Sequence, residues 1–450
     1  MDNKKYKIVI LGAGESGVGA AILAQTKGLS VYVSDRGKIK KQYKKELDKH
    51  NIPYEEAKHT LEILLNADTI IKSPGIPDNV QVIQLAKEKG IKIISEIEFA
   101  YRYLDDKSKI IAITGSNGKT TTTLLIYHIF RNAGTKVALG GNVGHSFARL
   151  VADNNDYDYY ILEISSFQLD NSYDFNPDIA ILLNITPDHL DRYEYDIKKY
   201  AAAKYRLIQN FSDENYFVFF KDDKLIIELN RIWAKGAGIP FSLEERLDIG
   251  GYADEEKMYI NVDERYFEME LKDLSLKGKH NVSNSLAAAI AANIMKIKNE
   301  TIRRSLMTFE GVEHRLEEFL TIAGIKFIND SKATNINSTR FALETVNDPV
   351  VWIAGGTDKG NDYSELYDIV KKKVKALVCL GVDNEKLKKS FEGIIPVIVE
   401  TKSMKDAVTQ AYNIANDGDT VLLSPACASF DLFENYEDRG RQFKKYVREL

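Results

Sequence analysis

Cysteine is nearly absent: a chain of 450 residues holds two, Cys379 and Cys427, far apart and without metal-ligand spacing. This excludes a disulfide framework or a cysteine-based zinc site and fits a reducing compartment. A basic excess is also missing. Lys and Arg number 61 against 66 Asp and Glu, a net charge of -5, so no positive field drives counterion release and nucleic acid is not an expected partner. No window approaches the ~20 apolar residues of a membrane-spanning helix, and the longest candidate, "SLAAAIAANIM", is short and rich in small residues. The opening "MDNKKYKIVILGAG" sets basic residues before an apolar stretch, but that stretch is brief and ends in a glycine turn. It reads as a first strand rather than a signal peptide, and a cytoplasmic protein is expected. Repeats at solenoid period and low-complexity linkers are lacking.

Hydrophobic residues at 44% and charged residues at 28% are the balance of a packed globular protein. The length suggests about three domains. Over the first hundred residues "KIVILG", "SVYVSD", "DTIIKSPG" and "IKIIS" alternate with helix-like stretches, as in βαβ units on a parallel sheet. After a charged hinge, "YRYLDDKSK", a second set begins with "IIAIT", "DYYILEIS" and "DIAILLNIT". From about Gly311 a third set follows: "IKFINDS", "PVVWIAGG", "ALVCLG", "IPVIVE" and "DTVLLSPA". The expected fold class is α/β with three domains. These are a Rossmann-like domain over 1–97, a central P-loop-type ATPase domain with a parallel sheet over 98–311, and a second Rossmann-like domain over 312–450.

Two glycine turns stand out. "GAGESG" spans Gly12 to Gly17, and "TGSNGKTTTT" begins at Thr114. In the second, Gly115 and Gly118 allow backbone N–H groups to line a concave turn, Lys119 can reach phosphate oxygens, and the Thr120 hydroxyl can bind Mg²⁺. The match to G-x-x-x-x-G-K-[ST] is imperfect, because Ile113 stands where the first glycine belongs. Nucleotide chemistry also needs anions to hold metal. Glu163 in "ILEISSFQL" closes one expected strand, and Asp188 and His189 in "NITPDHLDRY" follow the next. Taken singly, His189 is a surface or capping histidine, Lys204 in "YAAAKYRL" a solvated lysine, and Asn281 and Asn284 in "GKHNVSNS" caps of an Ala-rich helix.

The ordered set "TGSNGKTTTT", "GGNVG", "LEISSFQL", "NITPDHLDRY", "YAAAK", "GKHNVSN", "GVEHRLE", "NDSKATN", "GGTDKG" and "SPACASFDLFENYEDRGRQF" resembles the Mur ligases of peptidoglycan synthesis over all three domains. "NDSKATN" and "SPACASFD" are similar to the branch that adds D-glutamate to UDP-N-acetylmuramoyl-L-alanine. The resemblance implies an ATP-dependent amide ligase working through an acyl phosphate and a tetrahedral intermediate, with two Mg²⁺ ions. ATP is then expected on Gly115, Ser116, Asn117, Gly118, Lys119, Thr120 and Thr121, with Asn281 on adenine, Arg315 on phosphates and Asp330 on ribose. Thr120, Glu163, His189 and Lys204 would hold the metal, Lys204 as a carbamate; Lys119, Glu163, His189 and Lys204 are the implied catalytic set.

By the same resemblance "GAGESG" takes the UDP of the substrate rather than a dinucleotide. Gly14, Glu15, Ser16, Asp35, Arg36, Ser73 and Asn142 are the implied contacts. D-glutamate is expected on Lys332, Thr334, Lys359, Ser429 and Tyr436, while the role of Asp358 stays open. Closure of the C-terminal domain over ATP and a monomeric state are further expectations. The rival readings are another ATP-dependent amide ligase, an NAD-dependent oxidoreductase resting on "GAGESG", and a nucleotide-binding regulator without turnover. "NDSKATN" argues against the first, the phosphate turn and strand ends against the second, and the presence of Lys119, Glu163 and Lys204 against the third.

Overall fold

Strands buried from end to end belong inside parallel sheets covered on both faces, and alternating ones at half-exposed margins. Both kinds occur in the computed structural model, which describes residues 6–153, 156–188, 190–311, 313–346 and 349–450. Among the described residues the strands form three sheets, in keeping with the α/β expectation. The first joins β1 (Ile8–Leu11), β2 (Val31–Ser34), β3 (Tyr54–Glu55), β4 (Thr69–Lys72) and β5 (Lys92–Ser95) in the order β3-β2-β1-β4-β5, all parallel. Strand order reverses beside β1, and the crevice at such a switch point is where α/β sheets take ligands.

The second sheet holds β6 (Lys109–Thr114), β7 (Val137–Gly141), β8 (Tyr159–Glu163), β9 (Ile179–Leu182), β10 (Tyr216–Phe220), β11 (Ala237–Ser242), β12 (Gly250–Ala253), β13 (Lys257–Val262) and β14 (Arg265–Glu270). Its order is β14-β13-β12-β11-β10-β9-β6-β8-β7. It is parallel from β7 to β12 and antiparallel from β12 to β14. Asp263 and Glu264, at φ 51° and 62°, make the tight β13–β14 turn, the positive-φ geometry that matches strand twist in a two-residue hairpin. The helix Lys279–Ile294, buried along most of its length, packs against the helix Lys119–Asn132 that follows β6.

The third sheet orders β15 (Glu317–Ile322), β16 (Ile325–Asn329), β17 (Val350–Ala354), β18 (Val374–Leu380), β19 (Val397–Thr401) and β20 (Thr420–Leu423) as β15-β16-β20-β17-β18-β19. Only the β15–β16 hairpin is antiparallel. Two compact units result: Met1–Phe309 carries the first two sheets and Glu310–Leu450 the third. Val312, the expected start of the last domain, lies outside the described residues.

Within the first unit, buried carboxylates join the two sheets. Glu98, fully buried after β5, accepts the N–H groups of Tyr173, Asp174 and Phe175 on Oε2 at 2.9, 3.0 and 3.1 Å. Its Oε1 takes Arg102 Nη2 at 2.6 Å. Glu96, equally enclosed, accepts the Ala148 N–H. Glu15 in the helix Glu15–Thr26 takes Arg149 Nε at 2.8 Å and the Ser146 N–H at 3.2 Å. Gly19 permits this approach, since a Cβ there would stand 2.0 Å from Ser146 Oγ.

Replacing Glu98 by Ala strands three backbone donors and one guanidinium, and it is expected to cost roughly 3 kcal/mol or more of stability, read as a lower urea midpoint. Glu96 makes a different prediction. Burial pushes its carboxyl up from 4.5 to about 8, against the lowering effect of the Ala148 N–H. Between those values the folded chain holds a proton that the unfolded chain releases, so this contribution is present at acidic pH and is lost as pH rises toward 8. Glu96→Gln should therefore match the wild-type melting temperature near pH 5 and exceed it above about pH 8; equal melting curves at both would refute the assignment.

Candidate functional site

β6 runs apolar and buried to Thr114 and then breaks into Gly115–Gly118, with φ of +153° at Gly115 and +83° at Gly118. The helix Lys119–Asn132 starts there with no acidic residue in its first turn and no side-chain cap, which leaves the positive end of the helix for an anion. Asn184, just past β9, fixes the turn by accepting the Ser116 N–H on its carbonyl at 3.0 Å and the Asn117 N–H on Oδ1 at 2.8 Å. Thr186 accepts from Ser116 Oγ at 2.8 Å. A Cβ on Gly118 would fall 2.4 Å from Asn284 Oδ1. The Thr121 hydroxyl, in the first helical turn, is buried and has no hydrogen-bond partner among the described residues, an orphan that a bound oxyanion would satisfy.

Two ammonium groups converge on one carbonyl. Lys119 Nζ donates to Gly115 O at 2.8 Å and to Ser116 O at 2.9 Å, and Lys204 Nζ donates to Gly115 O at 2.9 Å. Lys204 is 2% exposed and lies 4.3 Å from the centroid of the Tyr200 ring. Burial, helped by the charge of Lys119, holds its ammonium well below the usual lysine range, against smaller raising effects of Asp188 and Asp170. Lys204 is therefore an enclosed amine rather than the solvated lysine expected of it singly. Glu163, 2% exposed at the end of β8, accepts Asn142 Nδ2 at 2.8 Å, and Glu163 O accepts the Asn142 N–H at 2.8 Å.

Asn281 and Asn284 do not cap: they lie inside the helix Lys279–Ile294, whose N-cap is Gly278. Asn284 Oδ1 takes the Thr122 hydroxyl at 3.3 Å, and its Nδ2 donates to Asn281 Oδ1 at 3.3 Å. The helix thus presents the Asn284 amide to the turn at Gly118, with Asn281 behind it. His189 lies outside the described residues; its neighbour Asp188 acts electrostatically on Lys204 and Tyr200.

At the switch point of the first sheet, Gly12 has φ +92° and Ser73 Oγ stands 2.6 Å from where its Cβ would be. Asp35 ties this turn together, taking the Ala13 N–H on Oδ2 and the Gly37 N–H on Oδ1, both at 2.7 Å. Gly14 is the N-cap of the helix Glu15–Thr26, Ser16 sits in its first turn, and Arg36 is exposed beside Asp35. Two members of the expected UDP group are engaged elsewhere, Glu15 with Arg149 and Asn142 with Glu163.

In the second unit, Asp330 at the end of β16 is 4% exposed and accepts the Leu316 N–H at 3.1 Å and the Ser424 hydroxyl at 2.9 Å. Burial pushes its carboxyl up to about 7, with the Arg315 charge opposing. Arg315 Nε is buried and has no hydrogen-bond partner among the described residues. Lys332 Nζ stands 5.3 Å from the centroid of the Tyr436 ring, Thr334 is half-buried close by in sequence, and Ser429 is buried after β20. Gly356 lets the "GGTDKG" loop lie on this segment, since a Cβ would meet Ala428 O at 2.2 Å, and Thr357 and Ala428 exchange backbone hydrogen bonds of 2.9 and 3.2 Å. Lys359 is exposed on that loop.

Asp358 clasps its own loop. It accepts Gly360 N–H at 2.6 Å, Asn361 N–H at 3.0 Å, Tyr363 Oη at 2.9 Å and Lys386 Nζ at 3.1 Å. The Asp-Lys-Gly-Asn run is an Asx-turn signal that could have pointed to it. Tyr363 and Arg439, both buried around the same loops, carry no comparable signal in the sequence.

Known proteins agree with this layout. The Mur ligase middle domain matches residues 113–292, the glutamate ligase domain of Mur ligases residues 314–427, and the MurD N-terminal domain residues 7–82. UDP-N-acetylmuramoylalanine--D-glutamate ligases of Porphyromonas gingivalis and Bacteroides fragilis are 54% and 53% identical, covering 100% and 99% of this chain and 100% of each relative. That of Christiangramia forsetii is 50% identical over 99% of both chains. Among solved structures, the UDP-N-acetylmuramate-alanine ligase MurC of Thermotoga maritima superposes with a TM-score of 0.63 at 19% identity over 99% of both chains. MurF of the same organism, in complex with ADP, gives 0.60 at 15% identity over 93% of this chain and 95% of that one. At such identities these two speak for the fold alone. With full-length relatives of that closeness and all three domain types in order, the chain belongs to the Mur ligase family.

Proposed function

We propose that this chain joins D-glutamate to the lactoyl-alanine carboxylate of UDP-N-acetylmuramoyl-L-alanine, consuming ATP and releasing ADP and phosphate in cytoplasmic peptidoglycan precursor synthesis. The observation that carries the reading is the 50–54% identity, end to end, to ligases of that name. The paired lysines on Gly115 supply its physical rationale. A carboxylate repels an amine and has no usable leaving group. Transfer of the γ-phosphoryl group to a carboxylate oxygen, with cleavage of the bond to ADP, makes an acyl phosphate. The amine then attacks the acyl carbon, loses a proton and expels phosphate.

Positioning and charge are what such a transfer asks of a protein. The turn Gly115, Ser116, Asn117 and Gly118 with Lys119, Thr120 and Thr121 is proposed to cradle the ATP phosphates. Lys119, now folded on its own loop, needs only a side-chain rotation to reach a phosphate oxygen. Asn281, Arg315 and Asp330 are proposed for adenine, phosphate and ribose. Gly14, Glu15, Ser16, Asp35, Arg36, Ser73 and Asn142 are proposed around the UDP group, and Lys332, Thr334, Lys359, Ser429 and Tyr436 around D-glutamate.

The donor set suits a hard cation: the Glu163 carboxylate and the Thr120 hydroxyl offer oxygen, and an amine does not. Lys204 fits the set as a carbamate, and its depressed basicity supplies the neutral amine that alone reacts with CO₂. We place Mg²⁺ there, two ions as the family resemblance implies, with His189 as a further ligand. Bound Mg²⁺ would neutralise charge on the transferring phosphoryl group.

Phosphate release from ATP with UDP-N-acetylmuramoyl-L-alanine present should require D-glutamate and fail with L-glutamate, L-lysine or meso-diaminopimelate, with a product heavier by one glutamyl residue. Release with another amino acid would overturn the assigned pocket, and none at all would overturn the ligase. Lys204→Arg, a cation that cannot be carbamylated, is expected to lower kcat by about 10³ or more, and ¹³C-bicarbonate should give a carbamate resonance in the wild type alone. Gly134→Ala and Gly118→Ala separate strain from function. Both sites have φ near +80°, but only Gly118 has a neighbour within 4 Å of the added Cβ. Gly134→Ala should cost about 1 kcal/mol of stability from backbone strain alone, Gly118→Ala should cost more because the methyl also meets Asn284 Oδ1 at 2.4 Å, and only Gly118→Ala should weaken binding of an ATP analogue in calorimetry.

A further inference from the structure

The reaction proposed above gives no task to one buried cation that also lacks a counter-ion among the described residues. Arg439, in the helix Tyr436–Arg448, is 1% exposed. Its Nε donates to Ser331 Oγ at 3.0 Å, Nη2 to Ser331 O at 2.8 Å and Nη1 to Cys427 O at 3.2 Å. Ser331 Oγ in turn donates to Tyr436 O at 2.8 Å. Every acceptor of the guanidinium is neutral. Asp330, Asp431 and the Cys427 thiol act on it only at longer range, while burial, the larger effect, lowers its pKa to about 10, so it stays charged at neutral pH. A buried charge normally has a counter-ion in contact; among the described residues this one forms no ion pair.

The anchor points of the fork are informative. Ser331 immediately precedes Lys332 and lies three residues before Thr334, Cys427 is two residues before Ser429, and Tyr436 is one helical turn before Arg439 itself. The remaining member, Lys359, belongs to the loop bridged through Thr357 to Ala428, next to Cys427. One planar group with donors in a fixed fork thus ties together the ends of β16 and β20 and the start of the last helix. A lysine could supply the charge there but not the three-way brace.

We infer that Arg439 is a positioning residue of the amino-acid pocket: it braces the segments bearing Lys332, Thr334, Ser429 and Tyr436, and its charge selects a dicarboxylate amino acid, which completes its neutralisation. This rests on the D-glutamate reading given above.

The test compares Arg439→Lys, Arg439→Gln and Ser331→Ala in the full-length chain, with separate KM values for D-glutamate, ATP and UDP-N-acetylmuramoyl-L-alanine. Arg439→Lys should raise KM for D-glutamate about tenfold while the other two KM values stay within about twofold. Arg439→Gln should raise it further and cut the preference for D-glutamate over D-glutamine, as a kcat/KM ratio, by about tenfold. Arg439→Lys should preserve that preference. An unchanged KM for D-glutamate, a parallel rise of all three KM values, or an unaltered preference in Arg439→Gln would overturn the inference. If Arg439→Gln does not fold, Ser331→Ala carries the test, since it keeps the charge and removes one anchor. It should raise KM for D-glutamate about threefold with the preference intact, and no rise overturns the brace. Absence of D-glutamate-dependent turnover in the unmodified chain would overturn the reaction and the pocket's occupant together, whereas normal wild-type turnover beside unaffected variants overturns the brace alone.

Discussion

At the turn Gly115–Gly118 two ammonium groups share one carbonyl oxygen, and the chemistry open to the turn depends on that pair. Lys119 and Lys204 reach Gly115 O from opposite origins, one from the helix that begins at the turn and one from the helix Ile197–Tyr205. Such a pair repels itself, and enclosure makes the repulsion stronger. Two reliefs exist: an anion enters between them, or one of them gives up its proton. The turn is arranged for both, with a helix start that lacks an acid cap and a Lys204 basicity already depressed.

The second unit repeats this logic with guanidinium groups. Arg439 is buried against the ends of β16 and β20, Arg315 is half-buried just before β15 with its Nε enclosed, and burial pushes the Asp330 carboxyl toward its neutral form against the charge of both. Positive charge is thereby stored where parallel strands end, which is where an open α/β sheet receives ligands. Backbone glycines make the storage possible by letting loops close on one another, as Gly356 does on Ala428.

How much of this could be read beforehand depended on the kind of strand. The continuous apolar runs "KIVILG", "IIAIT", "DIAILL", "PVVWIA" and "DTVLL" became β1, β6, β9, β17 and β20, because a strand buried on both faces needs no other signal. The hairpins were not foreseen. β13 alternates buried with less buried residues, and β15 is mostly exposed, so neither forms a run, and their identity comes from the partner strand. Side chains divided in the same way. Lys119 and Glu163, in ordered motifs, stand at the helix start and the strand end where those motifs put them. Taken singly, Asn281 and Asn284 read as caps, a reading that fails because their helix begins at Lys279 after the N-cap Gly278 and both lie inside it. Arg439 and Tyr363 were silent, since what marks them is burial beside loops distant in sequence.

The carboxylates that join the two sheets of the first unit bear on how freely its parts can be exchanged in evolution or by design. Glu15, Glu96 and Glu98 belong to the chain that builds the first sheet, yet each accepts from groups of the second, Glu15 and Glu96 from the helix Phe147–Ala152 and its cap Ser146, and Glu98 from the backbone of residues 173–175. Those segments lie up to 134 residues further along the chain. A graft of the first sheet onto a different ligase core would arrive with three carboxylates addressed to donors that the new host does not possess. The first sheet is therefore transferable only together with the segments at residues 146–149 and 173–175 that receive its carboxylates.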